Sequence, residues 1–127
     1  FVLAVVDLPV ESFIAEANVN ILTSLLFLKK KTRQQVQSED LSKTDKYPVF
    51  MAVAENVGVN RRGVTIFRRG PDGEELTQDV THVERIRVNG SIVERRLKRR
   101  EKVVDDDLPL IAEAYREFRK KHAEPGK

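Results

Sequence analysis

Residues 1–31, FVLAVVDLPVESFIAEANVNILTSLLFLKKK, restrict the fold more than any other stretch. Phe1–Val6 is an unbroken apolar run rich in valine, the pattern of a strand covered on both faces. Pro9 stops it, because proline cannot donate to a ladder and restricts Leu8 before it. Ile21–Leu28 is a second β-prone run, broken only by the hydroxyls of Thr23 and Ser24, and Lys29–Lys31 mark where it emerges into water. The chain from Pro9 to Asn20 must join the two strands. It is long for a hairpin connection and predicts an irregular, partly apolar loop, a kind that often carries function. Phe13 is its one aromatic. Either the ring plugs the loop onto the core or it is held out for a ligand.

At 127 residues, one domain with a modest core is expected. Apolar residues make up 40% and charged residues 34%, wetter than an average domain. Without cysteine there can be no disulfide framework or Cys-based zinc site, and the composition suits the cytoplasm. No apolar run approaches the roughly 20 residues that span a bilayer, so no membrane partner is expected. His82 and His122 stand without a second ligand at metal spacing and outside any nucleophile motif, which predicts neither a metal centre nor a hydrolase. The net charge of +3 is small, but the cations cluster at Lys29–Lys31, Arg61-Arg62, Arg68-Arg69 and Arg95–Arg100. Such clusters either line a phosphate track or form a solvated surface.

Thr32–Lys46 is polar and aperiodic, and reads as a surface connector. Tyr47–Ala54 is a third apolar run, closed by Glu55, Asn56 and Gly58. Gly70-Pro71-Asp72-Gly73 predicts a turn between Gly63–Arg69 and Glu74–Thr77, and hence a hairpin. Asn89-Gly90 predicts a second hairpin, from His82–Val88 and Ser91–Leu97, because both turn residues favour positive φ. Its apolar positions Val83, Ile86, Val88, Ile92, Val93 and Leu97 do not share one parity, which predicts a bulge near Glu84-Arg85. The arginines make this ribbon basic: it could lie along DNA, or be an edge kept soluble by charge. Finally, Leu108, Ile111, Ala112, Tyr115 and Phe118 form one helical stripe. Asp105–Asp107 are expected to cap its start, cations fill its last turn, and Glu124-Pro125-Gly126 ends it.

Val6-Asp7-Leu8-Pro9-Val10-Glu11-Ser12-Phe13, a loop with Asn18 and Asn20, and then Leu22–Lys30 together resemble the C-terminal part of adenine-N6 DNA methyltransferases. The modification subunit of type I restriction–modification systems is the nearest likeness. Pro48–Ala52 with Glu55 and Gly58, and Asp106-Asp107-Leu108-Pro109, fit the same family. The family's other signatures are missing: the chain has no G-x-G turn for S-adenosylmethionine, and none of its five prolines is adjacent to another, so it has no Asn-Pro-Pro-aromatic motif.

The resemblance implies an α/β fold: the C-terminal part of a Rossmann-like methyltransferase sheet, with mixed and antiparallel strands, added β-hairpins and a C-terminal helix. One compact domain is expected, made of terminal strands and a target-base loop (1–58), a basic hairpin extension (59–104) and an amphipathic helix (105–127). The parent enzyme would methylate N6 of a flipped adenine with S-adenosylmethionine. The present chain would be inactive alone, without catalytic, cofactor-binding or metal-binding residues. Phe13 would stack on the extruded base. Asn18, Asn20, Lys29, Lys30, Arg61, Arg62, Arg95 and Arg96 would face DNA, whereas Leu22 stands where many relatives carry lysine. The implied partners are DNA and the specificity and restriction subunits of the parent complex. The alternative is an interaction module that binds a specificity subunit or forms a homodimer through the exposed edge of Ile21–Leu28.

Overall fold

The computed structural model describes residues 1–40, 43 and 46–126. Their chain order is β1 (Val2–Leu8), α1 (Glu11–Ala17), β2 (Thr23–Leu28), α2 (Arg33–Gln37), β3 (Phe50–Val53), β4 (Thr77–Val88), β5 (Ser91–Lys102) and α3 (Leu108–Lys121). The protein is mixed α/β, with small sheets and a C-terminal helix. The chain divides into two compact units, 1–64 with 106–127, and 65–105.

The first unit is built on a three-stranded sheet ordered β2-β1-β3. β1 is central, antiparallel to β2 and parallel to β3. Alternation along β1 sends Ala4, Val6 and Leu8 to one face, where they are buried. Their neighbours on that face are Phe27 and Leu25 of β2 and Phe50 and Ala52 of β3. The amphipathic helix α3 covers this layer. Leu108 and Ile111 pack on Val6, Leu8 and Ala54, and the Phe50 ring meets those of Tyr115 at 5.4 Å and Phe118 at 5.5 Å. The apolar stripe expected for α3 is thus the surface that closes the core.

Among the described residues, the opposite face of the sheet is largely exposed. Leu26 is 58% exposed, Met51 73% and Val53 68%. A sheet covered on both faces is the expectation for β1, and among the described residues only the face under α3 is covered.

Three local expectations need correction. Pro9–Asn20 is not an irregular loop: residues 11–17 form α1, which ends on Asn18 in the left-handed region (φ 51°) with its N–H donating to the Ile14 carbonyl. Thr32–Lys46 is not featureless either. Thr32 and Gln35 form a capping box that starts α2, while Leu41, Ser42, Thr44 and Asp45 lie outside the described residues. Asp107 is the N-cap residue of α3, its carbonyl accepting from the Ile111 amide at 2.9 Å, but its carboxylate makes no cap hydrogen bond. Its Oδ2 accepts hydrogen bonds from the Glu55 and Asn56 amides at 2.9 Å each, and Asp106 Oδ1 takes the Leu108 amide instead. Asp105 faces Arg68 at 3.4 Å in the second unit.

The second unit is dominated by the β4–β5 ribbon, paired without interruption from Thr77↔Lys102 to Val88↔Ser91. Its turn holds Asn89 at φ 50° and Gly90 at φ 79°, as two positive-φ residues require. There is no bulge near Glu84-Arg85. The mixed parity of the apolar residues has a simpler cause: Val83 and Ile92 lie on one face, and Ile86, Val88, Val93 and Leu97 on the other. The Gly70–Gly73 turn also forms, with the Gly73 amide donating to the Gly70 carbonyl at 3.0 Å. Its flanks do not become a regular hairpin. Only an isolated bridge joins Arg69 to Glu75, while Phe67 bridges to Val104.

Candidate functional site

α1 positions the residue of greatest interest. It begins two residues after Pro9, with Val10 as its N-cap, so its first turn sits at the Leu8 end of β1. Val10 and Ile14 lie a helical turn apart and are half-buried. Phe13 precedes Ile14 by one position, about 100° round the helix axis, and stands 41% exposed. The ring is neither sealed in the interior nor fully in water. A loop between the strands would have left this orientation undefined, whereas the helix fixes it.

A basic turn flanks α1. Asn60 Oδ1 accepts from the Arg62 and Val64 amides, which shapes residues 60–64. Gly63, at φ 76°, approaches Ala15 so closely that a β-carbon there would lie 3.0 Å from the alanine methyl. The turn is thereby held against the helix. Arg61 Nε lies 3.5 Å from Glu11 Oε1, and the Arg62 side chain is exposed. The turn meets α1 at Glu11 and Ala15, on one side of the helix, whereas Phe13, two residues from each, lies about 160° round the axis from both, so the structure does not bring the ring and these arginines together. Asn18 and Asn20 are exposed in the connection from α1 to β2, and the backbone role of Asn18 is to terminate the helix.

Lys29 and Lys30 do not join them. They follow β2 at the Phe1 end of the sheet, roughly 20 Å from α1 by the length of a seven-residue strand. Lys29 is engaged in the fold: its ammonium donates to Glu124 Oε2 at 3.2 Å and to the Pro125 carbonyl at 3.0 Å. Lys30 is exposed and lines an open groove of about 850 Å³ with Lys31, Lys43, Glu39 and Asp40. Lys31 is paired with Glu39 and lies 5.0 Å over the Phe1 ring. Arg95 and Arg96, both exposed, are adjacent on β5 and so project to opposite faces of the ribbon.

A second hollow runs between the sheet and α3. About 520 Å³ in volume, it is lined by Ala4, Val6, Leu25, Phe27, Phe50 and the α3 stripe, with Arg116 as its one charged wall residue. Periodicity identified the apolar stripe but not this hollow, which exists because Leu25 and Phe27 lie beyond the cover of α3. Neither of these grooves includes Phe13. Among the described residues, no three His, Asp or Glu side chains cluster closely enough to hold a metal ion. No described helix is long and apolar enough to cross a membrane.

No family model matches the chain, and no curated protein or solved structure is detectably similar to it.

Proposed function

We propose that the chain is the C-terminal portion of an adenine-N6 DNA methyltransferase, of the kind that serves as the modification subunit in type I restriction–modification systems. The observation that carries this reading is Phe13. The Val6–Phe13 segment that resembles the family ends in an aromatic ring held at 41% exposure on a helix between two antiparallel strands. An extruded adenine loses its stacking neighbours, and a flat ring restores about 1–3 kcal/mol of that loss. Arg61 and Arg62 would contact phosphates of the duplex. The third strand supports the reading too: the Tyr47–Ala54 run joins the same sheet along the free side of β1, as the family's order of strands implies. The sheet would then be the terminal part of a Rossmann-like sheet.

The apolar hollow between the sheet and α3 has no carboxylate among its described wall residues for ribose hydroxyls, and its charged residue, Arg116, would repel a sulfonium. With no G-x-G turn in the chain, cofactor binding and transfer belong to other residues of the parent protein, and the 127 residues are expected to show no turnover. The reading frame upstream of Phe1 tests the proposal: it is expected to encode an Asn-Pro-Pro-aromatic segment, and a frame without one overturns it.

A second reading, an interaction module, has its own observation. β2 is an edge strand among the described residues, and the uncovered face beside it exposes Leu26, Met51 and Val53. Unpaired edges with apolar faces invite another chain, either a specificity subunit or a second copy. Light scattering after gel filtration distinguishes the readings. A stable dimer without DNA affinity favours this one.

A further inference from the structure

The β4–β5 register sorts the ribbon's charges in a way that the linear sequence conceals. One face carries Arg85, Arg87, Arg96, Lys98, Arg100 and Lys102. Only two carboxylates, Asp79 and Glu94, share it, so its net charge is +4. The other face carries Arg95 and Arg99 against Glu84 and Glu101, a net of zero, and most of the ribbon's apolar side chains. Every residue of the cationic face is exposed, whereas the half-buried ribbon residues, Val80, His82, Glu84, Leu97 and Glu101, all belong to the neutral face. The ion pairs follow the same division. His82 meets Glu101 at 2.5 Å and Arg99 meets Glu84 at 3.8 Å on the neutral face. On the cationic face Arg85 pairs with Glu94 and Lys102 with Glu75, but Arg87, Arg96, Lys98 and Arg100 have no carboxylate within 4 Å among the described residues.

We propose that this face is a track for the sugar–phosphate backbone of duplex DNA. Arg96, Lys98, Arg100 and Lys102 stand at alternate positions of one strand, so their heads form a line spanning roughly 20 Å. Within this line Arg96, Lys98 and Arg100 have no carboxylate partner among the described residues, and cations left so, in line and on one side, suit a linear polyanion. Charges kept only for solubility have no reason to avoid the other face. The face has no aromatic residue on which unpaired bases could stack, which favours a duplex over a single strand. A two-stranded ribbon also fits the dimensions of the major groove. The choice of DNA rests on the proposed function, but the asymmetry does not. It separates two residues that sequence alone treats as equivalent: Arg96 belongs to the track and Arg95 does not.

The test is titration of the whole chain with a fluorescently labelled duplex of arbitrary sequence at several salt concentrations. Arg96→Gln/Lys98→Gln and Arg95→Gln/Arg99→Gln remove the same net charge from opposite faces. The first pair is expected to weaken binding and reduce the slope of log K against log[salt] by about 1.8, at ~0.9 per lost phosphate contact. The second pair is expected to leave the slope unchanged, and Arg96→Lys/Lys98→Arg to retain it. Equal losses from both pairs mean diffuse attraction and overturn the proposal. No binding to DNA overturns it as well, as does the same face dependence toward anionic vesicles with no preference for DNA. Dependence on the ribbon but not on Phe13 removes the target-base loop and leaves the track standing.

Discussion

Glu75 Oε2 and Lys102 Nζ meet at 2.5 Å, with Arg69 on the other carboxylate oxygen at 3.7 Å. The hydrogen bond from Lys102 is the main reason the Glu75 carboxyl titrates below its ordinary value, and the charges of Lys102 and Arg69 add to it. Because the folded-state pKa is depressed, the pair contributes stability above the ordinary glutamate pKa and loses it as pH falls through the lowered value. Lys102→Met is expected to move the Glu75 titration upward when its side-chain carboxyl carbon is followed by NMR, and to reduce the acid sensitivity of the second unit. An unmoved titration contradicts the assignment. Residue by residue, sequence was informative where a side chain's chemistry dictates its backbone. Asn89-Gly90 is the clear case. It was uninformative where one position decides between faces, as for Phe13 against Ile14 or Arg95 against Arg96, because only a helix or a register fixes that choice.

Elements show the same division. β1, β2, β3 and α3 were legible because apolar runs and a three-and-four spacing are long enough to read. α1 and α2, of seven and five residues, were not: too short to show a periodic stripe, they appear in sequence as polar or irregular connections. The bulge expected in the ribbon came from assuming that all apolar residues must share a face, and two exposed ones do not. Of the aspartates ahead of α3, Asp106 does take a first-turn amide, as a cap is expected to, whereas the carboxylates of Asp105 and Asp107 turn elsewhere. Asp107 spends its carboxylate on the chain leaving β3, so it joins that strand's end to the start of α3 across 51 residues of sequence. Each hydrogen bond to a charged acceptor is worth about 1.5–3 kcal/mol. Asp107→Ala, which orphans two amides, is expected to cost ~2–4 kcal/mol in urea denaturation. Asp107→Asn keeps an acceptor and costs less. A loss under ~0.5 kcal/mol for the alanine variant excludes this linking role.

As proposed, DNA would meet two separate features, the Phe13 ring in one unit and the one-sided cationic ribbon in the other. Both are proposals about the same ligand, resting on different physics, stacking in the first case and counterion release in the second. Motif order along the chain suggested the ligand, and periodicity placed the strands. Neither could reveal the exposed sheet face of Leu26, Met51 and Val53, since an apolar strand residue looks the same in sequence whether or not something covers it.

The decisive measurement is the affinity of the chain for two duplexes that differ only in one adenine, paired in the first and mispaired in the second. A mispaired adenine leaves the stack at lower cost, so a ring that receives it favours the second duplex. Phe13→Ala is expected to abolish that preference, lowering affinity for the mispaired duplex by roughly 5- to 150-fold, the equivalent of ~1–3 kcal/mol, with the matched duplex unaffected. Equal affinity of the native chain for both duplexes, or a preference that survives Phe13→Ala, would show that no purine rests on this ring.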